Sequence, residues 1–285
     1  MPHYLIAQSE LPEEREARRK RAGKSSGETY AATLGQMQPG IRTTILSPAD
    51  DEGAAPTADW IAQFDAVFLT GSPMHVYDQT PEVRRQLGFM RQVFDVGVPS
   101  FGSCAGLQIA TVAAGGTVRK MPERMEAGIA RRISATAEGR RHPLLAGRAA
   151  SWDAPAIHGD EVCELPPGAL LLARNAVTAV QAAEIRFRRG IFWGVQYHPE
   201  LALQEIAIAL RAQKGDLVEA GLARTESCVD VRAGEIEALH NDPDCRALHW
   251  QLGVDGEFAE EALRRREIRN FIDHLPDLGG QSMKA

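Results

Sequence analysis

Cysteine is scarce in this chain. Four occur in 285 residues, at positions 104, 163, 228 and 245, with no C-x-x-C pair and no spacing that suits zinc. The simplest reading is a reduced, cytoplasmic protein with one working thiol and no metal site. Basic charge is not in excess either. Lys and Arg number 32 against 38 Asp and Glu, a net charge of −6, which supplies no field for nucleic acid. No apolar run approaches the roughly 20 residues of a membrane-spanning helix, and Met1–Ala7 lacks the basic and apolar regions of a signal peptide. Internal repeats and low-complexity tracts are lacking as well. What is present is 44% apolar residues, enough for one substantial core within one or two domains.

Apolar segments alternate with helical patterns along the first half. Residues 3–8, 41–47 and 65–70 read as strands, and 28–38 as a helix. A further helix opens at Thr80-Pro81-Glu82, with a capping hydroxyl, proline at the first helical position and an acid near the dipole. Its residues 83, 87, 90 and 94 form one apolar face, and Gly97 closes it. The strand 98–101 leads to a helix from Ala105 that ends at Gly115-Gly116. This alternation predicts an α/β fold, with a mostly parallel central sheet flanked by helices and with sites at the carboxyl ends of its strands. Residues 117–197 read as strands and hairpins. A domain over 1–212 is expected, then a helical C-terminal extension over 213–285 with helices near 216–223, 233–252 and 257–275. Arg264, Arg265, Arg266 and Arg269 flank the apolar stripe Ile268, Phe271, Ile272, Leu275. They read as a solvated face, or as a docking face for a partner or the second copy of a homodimer. The charged stretch 10–28 reads as a surface loop or short helix, or as a lid over a pocket. Its Gly23-Lys24-Ser25 is not a phosphate loop, because Arg18 stands where the first glycine belongs.

The chemistry is concentrated in two segments. In Gly102-Ser103-Cys104-Ala105-Gly106, small residues on both sides of a cysteine permit a sharp strand-to-helix elbow that points the thiol at a pocket. The helix start behind it favours a thiolate and offers N–H groups to an oxyanion. Ninety-four residues later, Gly194-Val195-Gln196-Tyr197-His198-Pro199-Glu200 reads as a buried strand that ends at an imidazole with a carboxylate two residues on. Cys104 as nucleophile, His198 as base and Glu200 as its orienting carboxylate make a complete acyl-transfer set.

These segments, with Leu69-Thr70-Gly71-Ser72-Pro73, His158-Gly159-Asp160-Glu161-Val162 and Ala179-Val180-Gln181, resemble the class I (triad) glutamine amidotransferases, especially the glutaminase half of GMP synthetase, over about residues 40–212. The resemblance implies a flavodoxin-like fold and hydrolysis of a γ-glutamyl amide, glutamine to glutamate and ammonia, through a Cys104 thioester. It implies an oxyanion site at the backbone N–H groups of Ser72 and Ala105; the family usually has glycine at the first of these. It implies substrate contacts at Gly71, Gln108, His158, Gly159 and Asp160, and it calls for no cofactor.

Three functions fit this reading. A glutaminase component would feed a separate ATP-dependent synthetase chain, since the residues after the triad contain neither a phosphate loop nor a Ser-Gly-Gly-x-Asp-Ser motif. A stand-alone γ-glutamyl hydrolase or peptidase would act on a γ-glutamyl conjugate. A non-catalytic regulatory protein would have kept the fold alone, against which the complete triad argues. His158 reads first as a structural hydrogen-bonding residue and second as a fourth catalytic group. His75 and Tyr77, just past the oxyanion turn, read as substrate contacts or as surface. Cys163, Cys228 and Cys245 are expected to be inert, Trp152 and Trp193 to be core, and Arg131 and Arg132 to be surface charge.

Overall fold

A computed structural model of the chain describes residues 1–50, 55–122 and 125–282. Its strands are β1 (His3–Ala7), β2 (Arg42–Leu46), β3 (Ala66–Leu69), β4 (Ser100–Ser103), β5 (Thr117–Lys120), β6 (Glu126–Ala135), β7 (Ser151–His158), β8 (Asp160–Glu164), β9 (Leu170–Arg174), β10 (Ala182–Phe187) and β11 (Gly190–Val195). Nine of them form one sheet in the order β2-β1-β3-β4-β11-β10-β9-β6-β7, and β5 pairs with β8 apart from it. The half from β2 to β11 is parallel, and the half from β10 to β7 is antiparallel. The expected α/β architecture is therefore present, with the hairpins of 117–197 completing the sheet on one side.

Both faces of the parallel half are covered, and β1 shows it residue by residue. Tyr4 and Ile6 enter one core with Tyr30, Phe68, Phe101 and Trp193. Leu5 and Ala7 enter another with Val67, Leu69, Phe89, Phe94 and Phe192. This is the two-residue alternation of a strand buried on both sides.

The helix Pro81–Val96 is capped by the Thr80 hydroxyl, which accepts the Val83 N–H, and ends at Gly97 in the left-handed region (φ 84°). The helix Ser26–Met37 begins two residues earlier than the apolar pattern indicates. Ser25 and Glu28 form a capping box there: the Ser25 N–H donates to Glu28 Oε2 at 2.7 Å and the Glu28 N–H to Ser25 Oγ at 3.3 Å. The charged stretch contains a helix, Pro12–Ala22, with no buried residue.

After Glu200 the chain is helical, as expected, but in other pieces. Helices run Leu203–Ala212, Lys214–Glu219, Glu226–Asn241, Arg246–Leu252, Gly256–Ala259, Glu261–Arg264 and Arg266–Ser282. The single helix expected over 233–252 is divided around Asp242-Pro243, since proline has no N–H to continue the ladder. Leu203, Ile206, Leu210, Val229, Ile236 and Leu239 build a third core. The last helix returns to the sheet, where Ile268, Phe271, Ile272 and Leu278 join the core of Tyr4 and Phe68.

The arginines beside that stripe are not a solvated face. Arg264 is 3% exposed and donates to the Phe258 carbonyl at 2.9 Å and to the Ala259 carbonyl. Burial pulls its pKa down to about 10. Arg265 donates to Gln36 Oε1, and Arg269 to the Met37 carbonyl. Arg131 is likewise a tie, reaching Asp153 and the Leu252 and Gly253 carbonyls.

Candidate functional site

Three adjacent parallel strands, β3, β4 and β11, end on the same edge of the sheet. Leu69 is level with Gly102, and Val195 with Ser103. The next residues along each strand are Thr70-Gly71-Ser72, Cys104 and Gln196-Tyr197-His198, so parallel pairing alone gathers them on one rim. The Cys104 N–H donates to the Val195 carbonyl at 2.9 Å, and the His198 N–H to the Pro155 carbonyl at 2.8 Å.

Cys104 has φ 53° and ψ −112°, a backbone state that costs a non-glycine residue about 1–3 kcal/mol. The neighbouring glycines make the elbow possible. A Cβ at Gly106 would lie 2.7 Å from the Leu69 carbonyl oxygen, and one at Gly102 would lie 3.0 Å from the Gly106 carbonyl carbon. The helix Ala105–Ala113 starts directly after the thiol, so the Ala105 N–H is among those with no partner inside the helix.

The imidazole of His198 lies beside Cys104 in the same cleft, close enough for the sulfur to act on its charge. Its Nδ1 meets Glu200 Oε1 at 2.8 Å. All three residues are at most 6% exposed. Burial works against the charged ring, but the Glu200 carboxylate and the Cys104 sulfur outweigh it and lift the His198 pKa to about 10. Gly71 lies against the same ring, where a Cβ would fall 2.7 Å from His198 Cε1 and 3.5 Å from Cys104 Cβ. Ser72 follows it on the rim, its Oγ accepting the Met74 N–H at 3.0 Å.

Gln108 is one turn into the elbow helix and 2% exposed. Its Nε2 donates to the Asp160 carbonyl and to Gln196 Oε1, both at 3.2 Å. His158 is held on both sides, Nδ1 at 2.9 Å from the Asp160 carbonyl and Nε2 at 3.1 Å from Glu126 Oε2. Both ring nitrogens of His158 are thereby occupied. The Asp160 carboxylate meets His75 Nδ1 at 2.7 Å and accepts the Tyr77 hydroxyl at 3.2 Å, so these two residues past the Gly71-Ser72 turn brace the His158-Gly159-Asp160 segment. Gly71, Ser72, Cys104, Gln108, His158, Gly159, Asp160, His198 and Glu200 all line one cleft of about 870 Å³, within the size range of small-molecule sites. Ala105 is buried beneath it.

Several supporting residues carry no signal in the sequence. Glu126 gathers His158, Asn175, Thr178 and Gln181 around one buried carboxylate, and these partners are scattered along the chain. Tyr30 shares a 2.7 Å hydrogen bond with Ser103, beside the thiol, and Thr33 donates to the Glu200 carbonyl. The helix Pro12–Ala22 lies on the cleft through Ala17, Arg18 and Arg21, so the charged stretch is both a surface helix and a wall of the site. Among the described residues no cluster of metal-ligating side chains occurs, and none of their helices is long and apolar enough to cross a membrane.

The family model for class-I glutamine amidotransferases matches residues 31–213. A γ-glutamyl-L-1-hydroxyisopropylamide hydrolase of a Pseudomonas species is 36% identical over 279 residues, covering 95% of this chain and 92% of that protein. A glutamine-hydrolysing GMP synthase of Corynebacterium jeikeium is 36% identical over 242 residues, and the match spans 41% of the synthase. The crystal structure of a glutamine amidotransferase from Thermotoga maritima has the same fold, with a TM-score of 0.64 at 14% identity over 96% of this chain and 99% of that one. The chain belongs to the class-I glutamine amidotransferase family, and it is an enzyme of that family.

Proposed function

We propose that the protein is a stand-alone hydrolase of γ-glutamyl amides, with Cys104 as nucleophile, His198 as general acid and base, and Glu200 as the carboxylate that orients His198. The observation that carries this reading is the gathering of buried Cys104, His198 and Glu200 on one cleft, with His198 Nδ1 at 2.8 Å from Glu200 Oε1. The thiolate attacks the amide carbon, forming a C–S bond and placing negative charge on the carbonyl oxygen. The N–H groups of Ser72 and Ala105 receive that charge. The C–N bond then breaks, and the His198 proton goes to the leaving nitrogen. Water attacks the thioester, with His198 taking its proton and returning it to the sulfur, and glutamate leaves. The γ-glutamyl half rests on Gly71, Gln108 and the segment His158–Asp160. The step uses no cofactor, and its free thiol suits the reduced cytoplasm. The hydroxyisopropylamide hydrolase, similar along nearly its whole length, supports a conjugate as substrate.

A second reading is favoured by the GMP synthases among the relatives: a glutaminase component that hands ammonia to a separate synthetase chain. One assay separates the two. The purified protein is given glutamine and a panel of γ-glutamyl amides, and release of glutamate, ammonia and amine is followed. Turnover without a partner is expected, together with a loss of about 10³-fold or more in Cys104→Ala and nearly full activity in Cys163→Ala. Activity that appears only on addition of a synthetase would favour the second reading, and an active Cys104→Ala would overturn the mechanism.

A further inference from the structure

We infer that the helices Pro12–Ala22 and Leu203–Ala212 form a subsite for the leaving amine, and that the enzyme takes γ-glutamyl amides of short aliphatic amines in preference to both glutamine and γ-glutamyl peptides. The inference rests on the γ-glutamyl hydrolase reading. His198 must deliver its proton to the leaving nitrogen, so the leaving group lies on the His198 side of the thiol. From His198 the chain runs through Glu200 and Leu201 directly into the helix Leu203–Ala212, which lines the cleft with Ile208, Ala209 and Ala212. The helix Pro12–Ala22 faces it with Ala17, and the two are tied by Arg18 Nη2 to Glu205 Oε1 at 3.0 Å. Ammonia, the leaving group of glutamine, needs no such walls. An N-alkyl substituent does, and the aliphatic lining suits it.

The charges define what the substituent carries. Arg18 stands between Glu205 and Glu10, whose Oε1 is 3.8 Å from its Nε. Two carboxylates against one guanidinium leave this wall one negative charge in excess. Elsewhere on the lining, Glu13, Glu14 and Asp216 outnumber Arg21 and Lys120. A leaving group with its own carboxylate, as in a γ-glutamyl dipeptide, meets this excess of negative charge and is repelled. A neutral or cationic amine is accepted.

The test compares kcat/KM for γ-glutamylethylamide, a γ-glutamyl amino alcohol, glutamine and γ-glutamylalanine. The first two are expected to exceed the last two by about tenfold or more. Filling the subsite from either side, with Ala209→Phe or Ala17→Phe, is expected to lower the alkylamide-to-glutamine ratio by about tenfold or more. Two variants on separate helices guard against one that fails to fold. Glutamine or the dipeptide as the best substrate, or an unchanged ratio in both folded variants, would overturn the inference while leaving the hydrolase reading in place. A wild-type protein that hydrolyses none of the four would remove both.

Discussion

His198 sits in a low-dielectric site and still keeps its charge, because the Glu200 carboxylate at Nδ1 and the nearby Cys104 sulfur favour the charged ring. With a pKa of about 10, its proton is in place across neutral pH, as the proposed delivery to the leaving amine requires. The raised value also makes the charged ring a stabilising group: its contribution is complete below the ordinary pKa of 6.5 and is lost as pH rises through about 10. Glu200→Gln keeps the shape but removes one of the two opposing charges. The alkaline limb of the kcat/KM profile is expected to move to lower pH, with a rate loss of about 10², against about 10⁴ for His198→Ala. An alkaline limb unmoved in Glu200→Gln, or equal losses in the two variants, would contradict the division of labour between them. Cys104, His198 and Glu200 are legible in the sequence because each lies at a strand end among small or rigid neighbours, and parallel strands bring such ends together. Glu126 is not legible, since its four partners are collected by the antiparallel strands and turns and no short motif joins them. Arg264 misleads for a related reason: a charged residue beside an apolar stripe reads as solvated, whereas here the Phe258 and Ala259 carbonyls take the place of water.

At the level of elements, the parallel strands and the helix after Thr80 are legible because period and capping agree. The helix Pro12–Ala22 is hard to read because it buries nothing, and so shows no apolar face to find. Its signals are Pro12 at the start and Gly23 in the left-handed region at the end (φ 78°). Polar ties hold it in place. Arg15 bridges to Asp50 at 2.6 Å, Arg18 to Glu205 at 3.0 Å and Arg19 to Glu28 at 2.8 Å. An element held this way opens well below the cost of global unfolding. Arg18→Ala is expected to speed amide hydrogen exchange across residues 12–22 by about tenfold, with exchange in β1, β3 and β4 unchanged. Equal acceleration in the sheet would show that the helix is part of the cooperative core.

For the whole molecule, the last helix matters most. Arg148 makes a bidentate pair with Glu267, at 2.6 and 2.7 Å, and also reaches Glu257. The Tyr197 hydroxyl donates to Glu267 at 2.8 Å. Glu267 is fully buried, so the residue before His198 is tied to the helix Arg266–Ser282. Removing one partner of such a pair strands the other, and Glu267→Gln is expected to cost about 3–5 kcal/mol in a denaturant titration. A loss below about 1 kcal/mol would show that Glu257 alone satisfies Arg148. The sequence shows the apolar stripe of this helix but not its destination, because nothing local to residues 266–282 identifies Tyr4, Phe68 and Phe101 as the surface that Phe271 covers. Biosynthesis feels the consequence. The strands β3 and β4 emerge from the ribosome well before Phe271, which packs on their Phe68 and Phe101, so the nascent chain carries a bare aromatic face until the helix Arg266–Ser282 is made. A stop codon ahead of Arg266 should therefore yield an aggregation-prone product for cellular quality control, rather than a shortened and slower catalyst.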